Sequence, residues 1–359
     1  MELGIRQVDP AAEVVKLSIA DGGEGTLDAI LSGAGGERIE RTVVGPLGKH
    51  VAAAYGLLSD GKTAVIEMAS AAGLGLVAPA DRDPRRTSTY GVGQLLMAAV
   101  ESGADRIIVG LGGSCTNDGG AGMLQALGAA FIDAKGAAIP VPITGADLAT
   151  VDRIDLTNYR FPTDRVAVVV ASDVTNPLIG LNGASAIYGP QKGASPDDVI
   201  ELDLALANYA SVIEKDFGVD IASRPGAGAA GGLGAALMAF LGAEMCSGID
   251  LVLDTIAFEA KAAEADFVFT GEGSIDLQTL QGKVIFGILA RCKKLNVPLV
   301  AFAGSIYPEA EEQLFELGLR GAVPIVDGVM SLENAIDRAS ALITRASART
   351  MRVLKTDIT

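Results

Sequence analysis

The stretch Arg106–Gly122, "RIIVGLGGSCTNDGGAG", sets the reading of the fold. A short apolar, β-branched run without alternation is the pattern of a strand buried on both faces, as in a parallel sheet. The glycines that follow suit a tight strand-to-helix turn, and Asn117 or Asp118 can cap a helix starting near Gly120. Four other segments repeat this grammar: "VVKLSIADGGEGT" from Val14, "VAVVVASDVTNP" from Val166, "DFVFTGEGSID" from Asp266 and "PLVAFAGS" from Pro298. The first predicts a strand over 13–17. Between them run helical periods such as Val92, Leu95, Leu96 and Ala99, spaced i, i+3, i+4, i+7. Strands alternating with such periods make an α/β protein with a parallel sheet.

One region breaks the rhythm. Residues 37–69 read as strand, "GPLGKH" turn, strand, "SDG" turn and strand, which is an antiparallel meander. With βα units on both sides of it, the meander marks the start of an inserted domain near Arg38. The Pro/Gly/Ala segment from Ser223 is the candidate for the return. The expected organisation is one discontinuous domain over 1–37 and 245–359, with an inserted α/β domain over 38–244. A chain of 359 residues is long enough for two cores.

The composition removes several classes of function. With 44 acidic against 28 basic residues the formal charge is −16, which argues against a nucleic-acid or anionic-membrane partner. Cys115, Cys246 and Cys292 are far apart and form no metal-ligand spacing, so they read as free thiols of a reducing, cytoplasmic compartment. His50 is the only histidine, sits in a turn-like segment and has no nucleophile-like neighbour. No apolar run is long enough to span a bilayer, and no basic, apolar leader is evident.

The glycine loops fit no standard phosphate-loop pattern. The Gly110 loop lacks the Lys and Ser/Thr of a Walker motif, and Cys115 stands where a dinucleotide fingerprint needs its last glycine. Only "GAGAAG", Gly226–Gly231, matches that fingerprint, but Pro225 rather than a strand precedes it. Even so, small residues let backbone amides converge on an anion, with Ser114 and Thr116 adding hydroxyls. Acids stand at the carboxyl ends of several expected strands: Asp21, Glu24, Glu67, Asp118, Asp173, Glu272 and Asp276. In open α/β sheets those ends line the ligand crevice. Carboxylates beside an anionic ligand imply a magnesium ion or a base for a hydroxyl nucleophile. Lys192, Lys283 and Arg82 are the cations placed to clamp a phosphate or carboxylate. Arg85 and Arg86 read as a solvated face.

Seven motifs taken together resemble the bacterial glycerate kinase family of the glycerate 2-kinase type. They are "IADGGEGT" from Ile19, "IEMASAAGL" from Ile66, "DPRRTSTYGVGQL" from Asp83 and "GLGGSCTNDGGAGMLQALG" from Gly110. "DVTNPLIGLNGASAIYGPQKGA" from Asp173, "GAGAAGGLG" from Gly226 and "FTGEGSIDLQTLQGK" from Phe269 complete the set. The resemblance implies ATP- and magnesium-dependent phosphorylation of D-glycerate to 2-phosphoglycerate. It also implies a flavodoxin-like domain with an inserted, restriction-endonuclease-like α/β domain.

Within that frame Asp173 and Asp276 are candidates for the metal and base roles, and Lys192 and Lys283 for the anion clamps. Gly112, Gly113, Ser114, Thr116, Asn117, Gly271, Glu272 and Gly273 are candidates for holding the nucleotide. Asp21, Gly22, Gly23, Glu24, Glu67 and Arg82 are candidates for holding glycerate. A homodimer is the oligomer left open.

Two departures from the family pattern stand out. Cys115 replaces a usual alanine. The family also begins with a strand and a "PDSFKGS" loop, whereas Met1–Val8 resembles the end of the helix that follows them. The first strand of the flavodoxin-like domain is therefore expected to be missing, with a misassigned start or an impaired enzyme as the consequence. Two alternatives stay open: 3-phosphoglycerate as product, and a non-catalytic protein that binds glycerate or nucleotide.

Overall fold

A computed structural model describes residues 1–280 and 283–355. Gln281 and Gly282, in the last of the seven motifs, lie outside the described residues. The chain divides into two compact units, one of residues 20–252 and one of residues 1–19 with 253–359.

The larger unit is built on a six-stranded sheet. Its strands are β1 (Gly36–Val44), β2 (His50–Leu58), β3 (Thr63–Glu67), β4 (Arg106–Gly110), β7 (Ala167–Ala171) and β8 (Glu244–Cys246), in the order β1-β2-β3-β4-β7-β8. The meander is present as expected: β1 pairs antiparallel with β2 and β2 antiparallel with β3. From β3 onward the pairing is parallel. β5 (Ala130–Asp133) and β6 (Val151–Asp155) form a separate antiparallel pair. The helix Tyr90–Glu101 buries Val92, Leu95, Leu96 and Ala99, the face its period announces. The long helix Pro196–Phe217 starts from a capping box, in which Ser195 accepts the Asp198 amide and Asp198 accepts that of Ser195. Its Leu202, Leu206, Tyr209 and Ile213 enter the core, spaced as one face of a helix.

The smaller unit carries a parallel three-stranded sheet of β9 (Val268–Ile275), β10 (Leu299–Ile306) and β11 (Gly321–Pro324), ordered β11-β10-β9. Val300, Phe302 and Ala346 centre its core. The helix Glu2–Val8 lies against the helix Ala339–Leu354 so closely that a side chain at Gly4 would meet the Thr344 carbonyl at 2.2 Å.

Two expectations need correction. The strand expected over 13–17 does not form. Apolar β-branched residues make a strand only where a partner supplies hydrogen bonds. Val14 and Leu17 instead line a cavity of about 930 Å³ together with Ile5, Val268 and Gly271. The boundaries also differ from those expected at 37/38 and 244/245. The helix Thr26–Ala34 goes with the larger unit because it packs on that unit's sheet, with Leu27 and Ile30 buried. The Pro/Gly/Ala segment from Ser223 likewise stays inside the larger unit.

Candidate active site

In the larger unit, β3, β4 and β7 are neighbours whose carboxyl ends point the same way, and each leads into a sequence-nominated segment. β3 ends at Glu67, β4 runs into the Gly110 loop and β7 leads to Asp173. The Asp21 loop lies across these ends, held by backbone-to-backbone contact. A side chain at Gly110 would meet the Gly22 carbonyl at 2.6 Å, one at Gly112 the Gly23 Cα at 2.5 Å, and one at Gly22 the Ala171 carbonyl at 2.5 Å. The Gly112 amide donates to the Gly22 carbonyl (3.2 Å). The glycines are thus required by chain packing, and the Gly112 amide is spent on it rather than held ready for an anion.

The acids at these ends divide by task. Glu67 accepts the Leu27 amide through Oε1 (2.8 Å), which fixes the first turn of the helix Thr26–Ala34. Asp118 is fully buried and accepts from the Thr89 amide (2.7 Å), the Thr89 hydroxyl (2.8 Å), and the Gly120 and Gly122 amides (3.2 Å each). Burial raises its pKa, and these four donors oppose that rise by favouring the carboxylate. Asp118 therefore anchors the loop.

Asp173 is different. It stands at the solvent boundary, and its Oδ1 accepts the Gly248 amide (3.2 Å). Its pKa is raised, first by partial burial of the carboxyl and also by the charges of Asp21 and Asp250, while hydrogen bonds from Gly248 and Ser247 act in the other direction. Asp21 and Glu24 are exposed, and Glu24 reaches over Gly113.

Lys192 is not placed where a surface clamp would stand. Lys192 is 2% exposed, and its ammonium donates to the Thr116 carbonyl at 2.7 Å. Burial lowers its pKa to about 8, against the upward pull of Cys115 and Asp118. Arg82 lies beside it, since a side chain at Gly193 would meet the Arg82 carbonyl at 2.3 Å. Thr116 and Asn117 are completely buried, and Asn117 Nδ2 donates to Ser185 Oγ (3.0 Å). Ser185 and Thr89 join the site although the sequence does not nominate them. Their only signal is a hydroxyl inside two of the seven motifs. Burial pushes the Cys115 thiol up to about 12, so it stays protonated and unreactive at neutral pH.

"GAGAAG" is no dinucleotide loop. Gly226, Ala230 and Gly231 have positive φ, and the segment presses on the Gly110 loop: the Gly119 amide donates to the Gly231 carbonyl (3.0 Å).

In the smaller unit Gly271, Glu272 and Gly273 belong to β9, and Asp276 follows it. Glu272 Oε1 accepts the Ile285 amide (2.9 Å) at the start of the helix Val284–Leu295. Asp276 Oδ1 accepts the Gln278 amide (2.8 Å), closing a local turn, and Lys283 donates to Gln278 Oε1 (3.0 Å). Among the described residues, no three His, Cys, Asp or Glu side chains gather as a metal cage, and no helix is long and apolar enough to cross a membrane.

Residues 1–355 match the glycerate kinase family as a whole. The chain belongs to the glycerate kinase family. Two similar proteins are a glycerate kinase of Halalkalibacterium halodurans and a glycerate 2-kinase of Escherichia coli. Each is 46% identical over 347 residues, covering 97% of this chain and 90% of the relative. A solved structure from Salmonella typhimurium, of a protein assigned as glycerate kinase 2, superposes with a TM-score of 0.86 at 44% identity. It covers 99% of this chain, which covers 92% of it.

Proposed function

We propose that the chain transfers the γ-phosphoryl group of ATP to D-glycerate, giving 2-phosphoglycerate. Its membership of the glycerate kinase family carries the reading, and the grouping of the Asp21 loop, the Gly110 loop and Asp173 at three adjacent strand ends supports it. Asp173 is the proposed base. Partial burial and like charge raise its pKa, which makes it a better proton acceptor than an ordinary exposed carboxylate. It takes the proton of the glycerate 2-hydroxyl as that oxygen bonds to the γ-phosphorus, the bond to the bridging oxygen breaks and ADP leaves.

Magnesium bound with ATP would neutralise charge on the phosphates. Such an ion usually keeps several waters and takes only one or two protein carboxylates, so the absence of a three-ligand cage among the described residues is compatible with it, and the exposed Asp21, whose charge acts on Asp173, would hold it while Asp173 stays free as the base. We assign nucleotide binding in the smaller unit to Gly271, Gly273 and Lys283, with Asp276 as a second metal candidate. The three parallel strands β9 to β11 support reading that unit as flavodoxin-like, and the larger one as the inserted domain. ATP use and three free thiols suit the cytoplasm.

A coupled assay of ADP formation with D-glycerate, followed by phosphorus NMR of the product, tests the reading. Turnover with a 2-phosphoglycerate signal is expected. No glycerate-dependent ADP formation would overturn the activity, and a 3-phosphoglycerate signal would overturn the regiochemistry.

A further inference from the structure

Buried polar atoms in folded proteins nearly always have a hydrogen-bond partner, and each exception calls for an explanation. Among the described residues the exceptions are Arg82 Nε, Thr116 Oγ1, Asn117 Oδ1 and Tyr209 Oη. The first three gather around one short segment of the larger unit. Thr116 and Asn117 are consecutive, and Lys192 donates to the Thr116 carbonyl. Arg82 is seated on Gly193, next to Lys192 in the chain, and both cations act on the Cys115 thiol. A buried ammonium, a guanidinium Nε, a hydroxyl and an amide oxygen thus belong to residues packed around Cys115 and Gly193. Asp118 nearby does not neutralise them by direct pairing, because the hydrogen bonds described above commit its oxygens to Thr89, Gly120 and Gly122.

The donor and acceptor set is specific. The ammonium and Nε can donate to an anion, the Thr116 hydroxyl can donate or accept, and Asn117 presents Oδ1, which as an amide oxygen can only accept, while its Nδ2 donates to Ser185 Oγ. A simple carboxylate leaves Asn117 Oδ1 without a donor. A carboxylate joined to a hydroxyl satisfies all of them.

We propose that Lys192, Arg82, Thr116 and Asn117 form the subsite that reads the carboxylate and the non-reacting 3-hydroxyl of a hydroxy acid, with Asn117 Oδ1 accepting from that hydroxyl. The proposal rests on the reading of the protein as a glycerate kinase and moves Thr116 and Asn117 from the nucleotide to the acid substrate. It makes Asn117 the residue that discriminates glycerate from lactate, which has the carboxylate and 2-hydroxyl but lacks the 3-hydroxyl. A site built to hydrogen-bond a hydroxyl rejects the analogue lacking it far more strongly than an apolar pocket rejects a missing methylene.

The test measures calorimetric affinities for D-glycerate, D-lactate and ATP, together with steady-state constants. Wild type, Asn117→Leu, Thr116→Val and Lys192→Arg are compared, with melting temperature as a control on folding. In the wild type glycerate is expected to bind at least about tenfold more tightly than lactate. Asn117→Leu should bring that ratio towards one, Thr116→Val should weaken both acids, and all three variants should keep the ATP affinity. If glycerate and lactate affinities stay in their wild-type ratio in Asn117→Leu, the proposal fails, and the buried atoms serve an internal water only. It also fails if the variants weaken ATP alone. Binding is read without turnover, so wild-type glycerate binding without phosphorylation would sink the kinase reading and leave the subsite standing.

Discussion

The Gly110 loop of the larger unit and the Gly271 segment of β9 in the smaller unit are written in the same grammar: an apolar run, glycines, small hydroxyls and acids. The structure uses them in opposite ways. The first is sunk in the core, where Thr116, Asn117 and Asp118 are fully buried. In the second, Gly271 and Gly273 are exposed and the acids complete local turns and caps. Burial separates an acid that holds architecture together from one that closes a turn. It depends on residues far away in sequence, such as Thr89 and Gly231 against the Gly110 loop.

The largest effect that tests this contrast is expected at Asp118. Asp118→Ala strands the Thr89 and glycine donors in the core and should cost about 4 kcal/mol, read from denaturant unfolding. Wild-type stability in this variant would remove the anchoring role. Gly231→Ala comes next, because its Cβ would lie 1.9 Å from the Thr116 carbonyl at a φ of +68°. Overpacking and left-handed strain together should cost about 3 kcal/mol. The same substitution at the exposed Gly273, where nothing lies within 4 Å, should change stability by less than about 0.5 kcal/mol.

This contrast also shows what could be read from the residues. The strand-turn-helix unit at Arg106, the meander and the buried stripe of the helix Tyr90–Glu101 were legible because periodicity and turn chemistry are local. The strand expected over 13–17 has the same apolar signature as β4 and β7, but strand formation needs a hydrogen-bonding neighbour that a local pattern cannot supply. The acids were legible as a class, by their shared place at strand ends. Their division into cap, anchor and candidate base was not. Asp118 and Asp173 follow similar runs, and they differ in the donors that tertiary packing brings: four onto the first, chiefly Gly248 and Ser247 onto the second. Lys192 shows the same limit, since a lysine between glycines reads as an exposed clamp until the fold buries it with its ammonium on the Thr116 carbonyl.

The pH response should sharpen the comparison, because a buried cation titrates where an exposed one does not. Lys192 is held at about 8 by burial, with Cys115 and Asp118 acting on it, whereas an unfolded lysine titrates near 10.5. Between those values the folded state binds fewer protons than the unfolded state, so this group makes stability rise with pH across the window. Substrate binding runs the other way: as Lys192 loses its proton above pH about 8, KM for glycerate should climb by up to about tenfold per pH unit, with KM for ATP unchanged. A flat glycerate profile from pH 7 to 10 would remove the ammonium from the acid subsite.

A smaller effect than those at Asp118 and Gly231 is expected at Glu272 in β9. Its Oε1 receives the Ile285 amide, so Glu272→Ala should cost about 1 kcal/mol, the usual value of a lost helix cap. Glu272→Gln keeps an acceptor oxygen in the same place and should restore most of that stability. The pair separates the two roles open to this residue. If Glu272 only caps the helix, Glu272→Gln keeps both the melting temperature and KM for ATP. If its charge also meets the nucleotide or its metal, the melting temperature stays while KM for ATP rises, because an amide preserves the cap and loses the charge. The second outcome would mean that the acid of β9, unlike Asp118, serves more than architecture.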